Sequence, residues 1–556
     1  MSATNEVGGF REQNSNFRSF RTFRWNAPGW IVISFLLALI ATTPVLVILS
    51  SYFFPEEDIW QHLVENVLQG LALNTLKLLA CVIPLTALLG ISMGWLTSAC
   101  EYPGRRFFSW ALVLPFAVPP YVYAFVYLGI FDFSGPVQGL IRESFPSVGF
   151  IDIRNTAGVS IILSLAFYPY VYLMSRSAFL TQGRSSMEAA RMLGQTPIGA
   201  FFRVALPMAR PWIAAGLLLV AMETLADFGA VAIFNYDTFT TAIYKAWFGM
   251  FSLNAALQLS SILVVFVLII LVLEQHFRFR MRFNETYTAA VRHQRLHLNG
   301  LKKWLAFITS LMIFFFAFAL PFSQLIIWSW SNLNSDALQY LEQALNTFVL
   351  GAVTAAVTTL CAIIIAYSKQ SNPGLTMKWN ARLATLGYAL PGTVLAVGIY
   401  IPAAWLDNQL LNIFTGITGS RINPLLQGSL IILIVAYAIR FLAAGFGSID
   451  SSMNRITPSI VEAARTMGTT GTALLKRIYL PMTKTGLLTA SIFVLVDVMK
   501  EMPITLMMRP FNWDTLAVKI FEYTSEGEWE LAALPAVGLI LTGLLPVLFL
   551  TKKTEE

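Results

Sequence analysis

Long apolar stretches, separated by short polar segments, recur along the whole of this 556-residue chain. Each stretch holds about 20 residues with few charges, which is the length that a helix needs to cross the hydrocarbon core of a bilayer. The pattern predicts an all-α polytopic membrane protein of about twelve spanning helices, six in each half. The predicted spans are 29–53, 71–98, 108–131, 157–180, 211–234 and 254–275, then 304–328, 346–367, 383–406, 428–447, 485–507 and 531–551. Prolines should kink or interrupt some of them, namely Pro115, Pro119, Pro120, Pro391 and Pro503.

Composition supports the membrane interpretation. Hydrophobic residues make up 56% of the chain and charged residues 12%, whereas soluble domains carry about 25% charged residues. The net charge of +7 does not indicate a nucleic-acid partner, because the basic residues lie between the spans and not on one folded face. The cysteines Cys81, Cys100 and Cys361 lack Cys-x-x-Cys spacing, so no disulfide framework or zinc site is predicted.

The placement of lysine and arginine predicts the orientation of the chain. Basic residues concentrate in alternate loops, which are expected to face the cytoplasm. With the N-terminus inside, the outer loops carry only Arg142, Arg154, Lys245, Arg421, Arg509 and Lys519. Residues 1–28 then form a cytoplasmic tail, not a cleavable signal, and 552–556 a second cytoplasmic tail. An even number of spans gives the repeats 29–275 and 304–551 one orientation, so they form two parallel six-helix repeats.

Between the repeats lies a polar, basic segment, residues 276–303. It is expected to be a cytoplasmic linker. His293 and His297 stand there at helical i, i+4 spacing, but a metal site needs more ligands than these two. A solvated linker is therefore predicted.

A short polar motif occurs twice in the predicted cytoplasmic loops, 274 residues apart, and its copies are called the first and second repeated loops. The first loop spans 185–207 and the second 459–481. Their shared positions are Glu188, Ala189, Ala190, Arg191, Gly194 and Pro207 in the first, and Glu462, Ala463, Ala464, Arg465, Gly468 and Pro481 in the second. Such a duplicate indicates a duplicated membrane domain whose loops meet something outside the membrane.

Each repeated loop predicts a helix, a turn and a second helix. Ser185 with Glu188, and Ser459 with Glu462, have the spacing of capping boxes. Gly194 and Gly468 suit the left-handed residue that ends a helix. Thr196-Pro197 is expected to start the second helix of the first loop, and Pro207 and Pro481 are expected to stop the second helices of the two loops.

The small alanine pairs would let a partner's groove close around each first helix. Two equivalent docking helices imply two equivalent partner subunits. The alternative is an amphipathic helix pair that lies on the inner membrane surface.

The chain resembles the permease subunits of bacterial ABC importers, whose signature loop reads Glu-Ala-Ala, three residues, Gly, nine residues, then an aliphatic residue, any residue and Leu-Pro. Both repeated loops fit it, with Val204 at the first aliphatic position. The resemblance covers essentially the whole chain, as two fused permease domains of the type I fold. It implies that Glu188, Ala189, Ala190, Arg191, Gly194, Glu462, Ala463, Ala464, Arg465 and Gly468 contact ATPase subunits, whose closure switches the permease between inward- and outward-facing states.

No Gly-x-x-x-x-Gly-Lys-Ser/Thr sequence occurs in the chain, so it lacks a phosphate-binding loop of its own. A non-catalytic subunit without a cofactor is expected. The resemblance implies two copies of a separate ATPase, a periplasmic binding protein and a place in the bacterial inner membrane, while no nucleic-acid partner is expected.

Acidic residues are duplicated inside the predicted fifth and eleventh spans. Glu223 and Asp227 recur 274 residues later as Asp497 and Glu501, each pair on one helical face. Intramembrane ionisable residues often serve transport, and carboxylates suit hard cations, so these four are candidate pathway residues that contact a metal ion transiently, without a stable metal site. The other interpretation is that they hydrogen-bond neighbouring helices or, for Glu501, interact with Lys500.

Among fused permeases of this type, the chain is most similar to the ferric iron importers. The stretches that carry this resemblance are 226–241 and 497–511. The resemblance therefore implies ferric iron as substrate, although thiamine and aminoethylphosphonate permeases share the fused arrangement. A secondary transporter driven by an ion gradient is an alternative of another class, but it leaves the repeated loops unexplained. An intramembrane enzyme would call for a catalytic motif such as His-Glu-x-x-His, and none occurs.

Overall fold

The computed structural model describes residues 28–53, 57–145, 147, 149–181, 190, 192–282, 295–331, 337–418 and 423–555. Within these ranges, ten helices are long and apolar enough to cross a membrane. A bent pair, Gly471–Met482 and Lys484–Lys500, supplies an eleventh span if it counts as one, and Trp529–Leu545 is a shorter apolar helix. The predicted all-α polytopic fold of about twelve spanning helices is thereby confirmed.

In both halves, long apolar helices alternate with shorter ones. Those of the first half are Pro28–Ser50, Glu57–Asn66, Leu68–Ala99, Arg105–Ala111, Pro120–Phe131, Pro136–Ser144, Thr156–Thr181, Pro197–Ala200, Leu206–Ala226, Gly229–Ile233, Phe239–Tyr244 and Leu253–Arg282. Those of the second half are Leu301–Phe314, Leu320–Ser331, Ala337–Ser371, Leu375–Ala384, Gly392–Thr418, Leu430–Met453, Pro458–Thr466, Gly471–Leu474, Leu480–Met482, Lys484–Lys500, Pro503–Met508, Leu516–Glu526 and Trp529–Glu555. Short 3₁₀ turns occupy Ser51–Phe53, Leu114–Ala117 and Leu386–Ala389, and π turns occupy Phe201–Ala205, Lys245–Gly249, Phe315–Ala319 and Leu475–Tyr479.

Small residues let the helices of the first half approach closely. A Cβ added at Gly90 would lie 2.5 Å from the Cβ of Val171 and 2.8 Å from the backbone nitrogen of Tyr172. Glycine therefore fixes the crossing of helices Leu68–Ala99 and Thr156–Thr181, as small residues commonly do in membrane bundles. In the second half, Ala337–Ser371, Leu430–Met453 and Lys484–Lys500 pack against one another in the corresponding way.

In both halves the third spanning helix begins later than predicted, next to a proline. The predicted spans 108–131 and 383–406 are wrong at their first residues, because the spanning helices begin at Pro120 and Gly392. Each is preceded by a 3₁₀ turn and an extended step next to Pro119 or Pro391, where the missing N–H and the fixed ring exclude a continuous helix.

The fifth and eleventh predicted spans also end earlier than expected. Helix Leu206–Ala226 stops before Asp227, whose ψ is 129°, and helix Lys484–Lys500 stops before Glu501, whose ψ is 120°. A short helix follows each extended residue, so 211–234 and 485–507 are broken and not continuous. The break falls at the duplicated acidic positions in both halves.

The duplication extends to tertiary contacts. The Asn74 side chain donates to the Asp237 carbonyl at 3.2 Å, and Asn346 donates to the Asp514 carbonyl at 3.4 Å. Each asparagine thus ties the second span of its half to the loop that precedes a short helix. The repeat inferred from sequence spacing is therefore also a repeat of side-chain roles.

Residues 295–298 at the end of the linker are attached to the first half. Leu296–His297 pairs in parallel with Cys100–Glu101, and the Leu298 N–H donates to the Glu101 carbonyl at 3.2 Å. This part of the predicted linker therefore has a strand partner in the first half, while His297 itself is exposed. His293 lies outside the described residues. Among the described residues no group of three or more His, Cys, Asp or Glu could hold a metal ion.

Candidate translocation cavity and repeated loops

The broken helices of both halves surround one cavity of about 250 Å³, called the central cavity. Glu223 and Asp227 line it from the first half, and Asp497 and Glu501 line it from the second. The structure therefore brings together all four acidic residues singled out in the sequence. Apolar and aromatic side chains of both halves form most of the remaining wall.

Two of the acids cap the short helices that follow the breaks. The Asp227 carboxylate accepts the backbone N–H of Val231 at 3.1 Å, and the Glu501 carboxylate accepts that of Ile504 at 3.4 Å. Each acid supplies an oxygen to backbone donors that a helix start leaves unpaired. A threonine also stabilises each break. Thr240 donates to the backbone carbonyl of Asp227 at 2.6 Å, and Thr505 donates to that of Glu501 at 3.0 Å.

The other two acids lie one helical turn earlier. Glu223 accepts a hydrogen bond from the Tyr170 hydroxyl at 3.4 Å. Asp497 lies within electrostatic reach of Arg440 and Lys500. Glu223 and Asp497 are half-buried and line the cavity.

Two cations of the second half also line the cavity. Arg440 Nε lies 3.2 Å from Glu501 Oε2, and its Nη1 donates to the Leu390 carbonyl at 2.5 Å. Lys500 Nζ donates to the Phe116 carbonyl of the first half at 3.1 Å. The ion-pair partner of Glu501 is thus Arg440, not the adjacent Lys500 that the sequence suggested.

Arg440 was missed at the level of sequence. The sequence did carry a signal for it. A charged arginine within an apolar span costs free energy in the bilayer, so it is expected to have a specific partner and a function. The duplicated pattern drew attention to acids with counterparts in both halves, and the position that matches Arg440 in the first half is Ala166. The cavity is therefore asymmetric in charge, with four carboxylates and two tethered cations.

The second repeated loop begins differently from the capping box predicted for it. Helix Pro458–Thr466 has Thr457 at its N-cap without a side-chain capping bond, and Ser459 Oγ instead bonds Thr457 Oγ1 at 3.0 Å. The prediction is wrong here because the helix starts at Pro458, whose fixed φ suits the first helical position. In the first loop, Ser185, Glu188, Ala189 and Arg191 lie outside the described residues.

The glycine turns of both loops match. Gly194 has a φ of 83° and Gly468 a φ of 80°, which confirms the predicted left-handed residue. The next residue closes the turn in each loop, with the N–H of Gln195 on the Ala190 carbonyl at 3.0 Å and that of Thr469 on the Ala464 carbonyl at 2.9 Å. This is the bonding of a Schellman helix end.

The exposed and buried faces of the loops are distinct. Ala190 and Ala464 are buried and contact their own domain, so their side chains are not available to a partner. In the second loop, Glu462, Ala463 and Arg465 are exposed. A large apolar side chain projects beside each glycine, Leu193 at 82% exposure and Met467 at 77%.

A second helix follows each glycine turn. Thr196 Oγ1 accepts the Gly199 N–H at 3.1 Å, and Pro197 is the first residue of the helix, as predicted. Pro207 does not stop the helix, because the π turn Phe201–Ala205 widens the backbone and absorbs the missing donor. The second half has the matching π turn Leu475–Tyr479, followed by a bend of 78° between Met482 and Lys484.

Comparison with known proteins agrees with this geometry. Residues 86–283 match the family described as the inner membrane component of binding-protein-dependent transport systems. This match and the relatives below support an ABC importer permease. It is 26% identical over 485 residues to the Fe(3+)-transport system permease protein FbpB 2 of Haemophilus influenzae, covering 86% of this chain and 89% of the relative.

Two further relatives show the range of the family. The ferric transport system permease protein FbpB of Actinobacillus pleuropneumoniae is 23% identical over 93% of this permease and 76% of the relative. The sulfate transport system permease protein CysW of Escherichia coli K12 is 26% identical over 38% of this permease and 72% of the relative. The resemblance to ferric permeases is confirmed, and the spanning helices identify a multi-pass inner membrane protein.

Proposed function

We propose that this permease is the membrane subunit of an ATP-driven importer that carries ferric iron, delivered by a periplasmic binding protein. The observation that carries the proposal is the central cavity, in which four carboxylates from both halves meet two cations. Carboxylate oxygens are the ligands that a hard cation prefers. The relatives named as ferric permeases support this choice, since two of them align with most of the chain.

The energy source in this proposal is a separate ATPase present in two copies. Each repeated loop would dock one copy. In the second loop the contact would be made by the exposed residues Glu462, Ala463, Arg465 and Met467. In the first loop it would involve Glu188, Ala189 and Arg191, which occupy the matching sequence positions. The matched glycine turns at Gly194 and Gly468 support two equivalent contacts. Both termini face the cytoplasm in this arrangement, and the chain itself hydrolyses no ATP.

The docking proposal is tested by replacing both Glu188 and Glu462 with lysine. The double variant should insert into the membrane but lose co-purification of the ATPase and ATP-driven uptake. Lys378→Gln, an exposed substitution outside the loops, is the control and should retain both. Normal uptake by the double variant would refute the coupling role, and uptake that needs only an ion gradient would favour a secondary transporter.

The substrate is tested through Glu223 and Asp497, the two acids of the cavity that lie one helical turn before the helix breaks. Replacing both by amides keeps their size and removes two charges. Ferric uptake should fall at least tenfold while ATPase docking stays intact. Unchanged uptake would mean that these acids only hold neighbouring helices together, and transport of thiamine, an organophosphonate or sulfate in place of iron would overturn the substrate.

A further inference from the structure

A cluster of basic side chains lies where the linker meets the first half, and the proposed transport path does not use it. Arg105, Arg106, Arg176 and Arg295 form this cluster, called the seam cluster. Glu101 is the carboxylate placed against it: its Oε2 lies 3.0 Å from Arg105 Nε and 3.6 Å from Arg295 Nη1. Among the described residues that act electrostatically on Arg295, Glu101 is the one acid beside three further arginines.

Part of this charge is held where water has limited access. Arg105 is buried, and its Nη1 donates to the Thr97 carbonyl at 3.3 Å. The Nε atoms of Arg176 and Arg295 are also buried, without a hydrogen-bond partner among the described residues. Buried polar atoms are normally paired, so these guanidinium groups have unused capacity to bind an anion.

Electrostatics within the cluster agree with the geometry. The pKa of Arg295 is lowered, first by its burial and then by the charges of Arg105, Arg106 and Arg176, with Glu101 acting in the opposite sense. Positive charges held close together repel one another, and a bound anion would relieve that repulsion.

The surroundings place the seam cluster at the level of a membrane surface. It lies at the end of helix Leu68–Ala99 and near the end of helix Thr156–Thr181, beside the start of helix Leu301–Phe314. That last helix begins with Lys302 and Lys303, followed by Trp304 at 50% exposure. Exposed aromatic and basic residues at the end of a spanning helix are typical of the membrane–water boundary.

Apolar side chains next to the cluster face outward as a lipid-contacting surface would. Leu301, Leu305, Ile308 and Met312 are exposed along one face of the helix that starts here. Phe107, which follows Arg106 directly, is exposed as well. An acyl chain has an apolar surface available beside the guanidinium groups.

We propose that the seam cluster binds the phosphate of an anionic phospholipid headgroup. Basic pockets between spanning helices recognise such headgroups by charge and by bidentate arginine contacts. The bound lipid would join the linker to the first half, because Arg295 directly precedes the linker strand Leu296–His297 and Arg105 and Arg176 belong to the first half. The seam cluster shares no residue with the repeated loops or with the lining of the central cavity, so the proposal stands whether or not the substrate is ferric iron.

The test compares the purified full-length permease with the Arg106→Gln, Arg295→Gln double variant. Both are reconstituted in nanodiscs of phosphatidylcholine with or without phosphatidylglycerol, and unfolding midpoints and co-purified lipids are measured. The anionic lipid should raise the midpoint of the parent, and the double variant should lose that rise and retain at least tenfold less anionic lipid. Lys378→Gln is the matched control, since Lys378 takes the position of Arg106 in the second half, and it should behave as the parent.

Several results would overturn the proposal. An equal response of parent and double variant to phosphatidylglycerol would show that the cluster does not bind the headgroup. The same rise with inorganic phosphate alone would assign the site to a free anion. Loss of ATPase co-purification in the double variant, with lipid retention unchanged, would assign the cluster to a protein contact.

Discussion

The Arg440–Glu501 pair gives the sharpest prediction about the central cavity. Both side chains are largely buried, at 14% and 8% exposure, and the arginine also satisfies the Leu390 carbonyl. Replacing Arg440 with methionine leaves Glu501 without its counter-charge in a setting that solvates it poorly. Removing one partner of a buried pair costs about 3–5 kcal/mol.

A second substitution, Glu501→Gln, should restore much of the stability that Arg440→Met loses. Glu501→Gln keeps the side chain length, and an added Cβ at Gly392 would lie only 2.5 Å from Glu501 Oε1, so the site admits no larger residue. With Arg440→Met and Glu501→Gln together, no uncompensated charge remains. The double variant should therefore recover most of the loss, and the coupling energy in a double-mutant cycle should be about 2–4 kcal/mol.

The assay is the unfolding free energy of the four proteins in one detergent, read from tryptophan fluorescence during denaturant titration. The exposed pair Lys245–Asp237, at 2.6 Å, is the control, and its cycle should give less than about 1 kcal/mol. A coupling energy for Arg440 and Glu501 as small as that of the control would refute the claim that these two side chains form a strongly coupled buried ion pair.

Three further predictions concern local structure and reactivity. Gly468→Ala should cost about 1–2 kcal/mol of loop stability and reduce coupling to ATP hydrolysis, because Gly468 has a φ of 80°. The control is Gly447→Ala, which should be neutral or stabilising, because Gly447 lies in a helix and an added Cβ would meet no atom within 4 Å. Gly90→Ala should cost about 1–3 kcal/mol by forcing two helices apart, measured as a lower unfolding midpoint, while Gly70→Ala, which meets nothing within 4 Å, should not. Burial raises the pKa of the Cys100 thiol to about 11, so the thiol stays protonated at neutral pH. Cys100 should therefore react with iodoacetamide only above about pH 10 or after unfolding, as measured by mass spectrometry of the labelled protein. Rapid labelling at pH 7 would contradict its burial.

The sequence predicted those parts of the fold that depend on periodic or repeated signals. Span number and class followed from apolar length, and the four acids of the cavity followed from their duplication at equal spacing. The glycine turns of both loops were also predictable, because few residues other than glycine adopt a positive φ readily. These features depend on local chemistry, which a sequence displays directly.

Features that depend on tertiary context were not predictable. The helix break at Asp227 arises where the acid bonds the next helix, and the apolar run gives no sign of it. The break at Glu501 has a partial signal in Pro503, but the capping role of the acid was not predictable. Arg440 stands in one half only, so the repeat concealed it. The π turn before Pro207 and the linker strand at Leu296–His297 likewise depend on neighbours that are distant in sequence or on backbone relaxation.

The measurement that tests the central claim most directly is ferric uptake in proteoliposomes that contain this permease, the ATPase and the binding protein. ATP enclosed with the ATPase should drive uptake of iron, and uptake should fall at least tenfold when Glu223 and Asp497 carry amides. Iron uptake that persists without ATP, or that is indifferent to these two charges, would contradict the account.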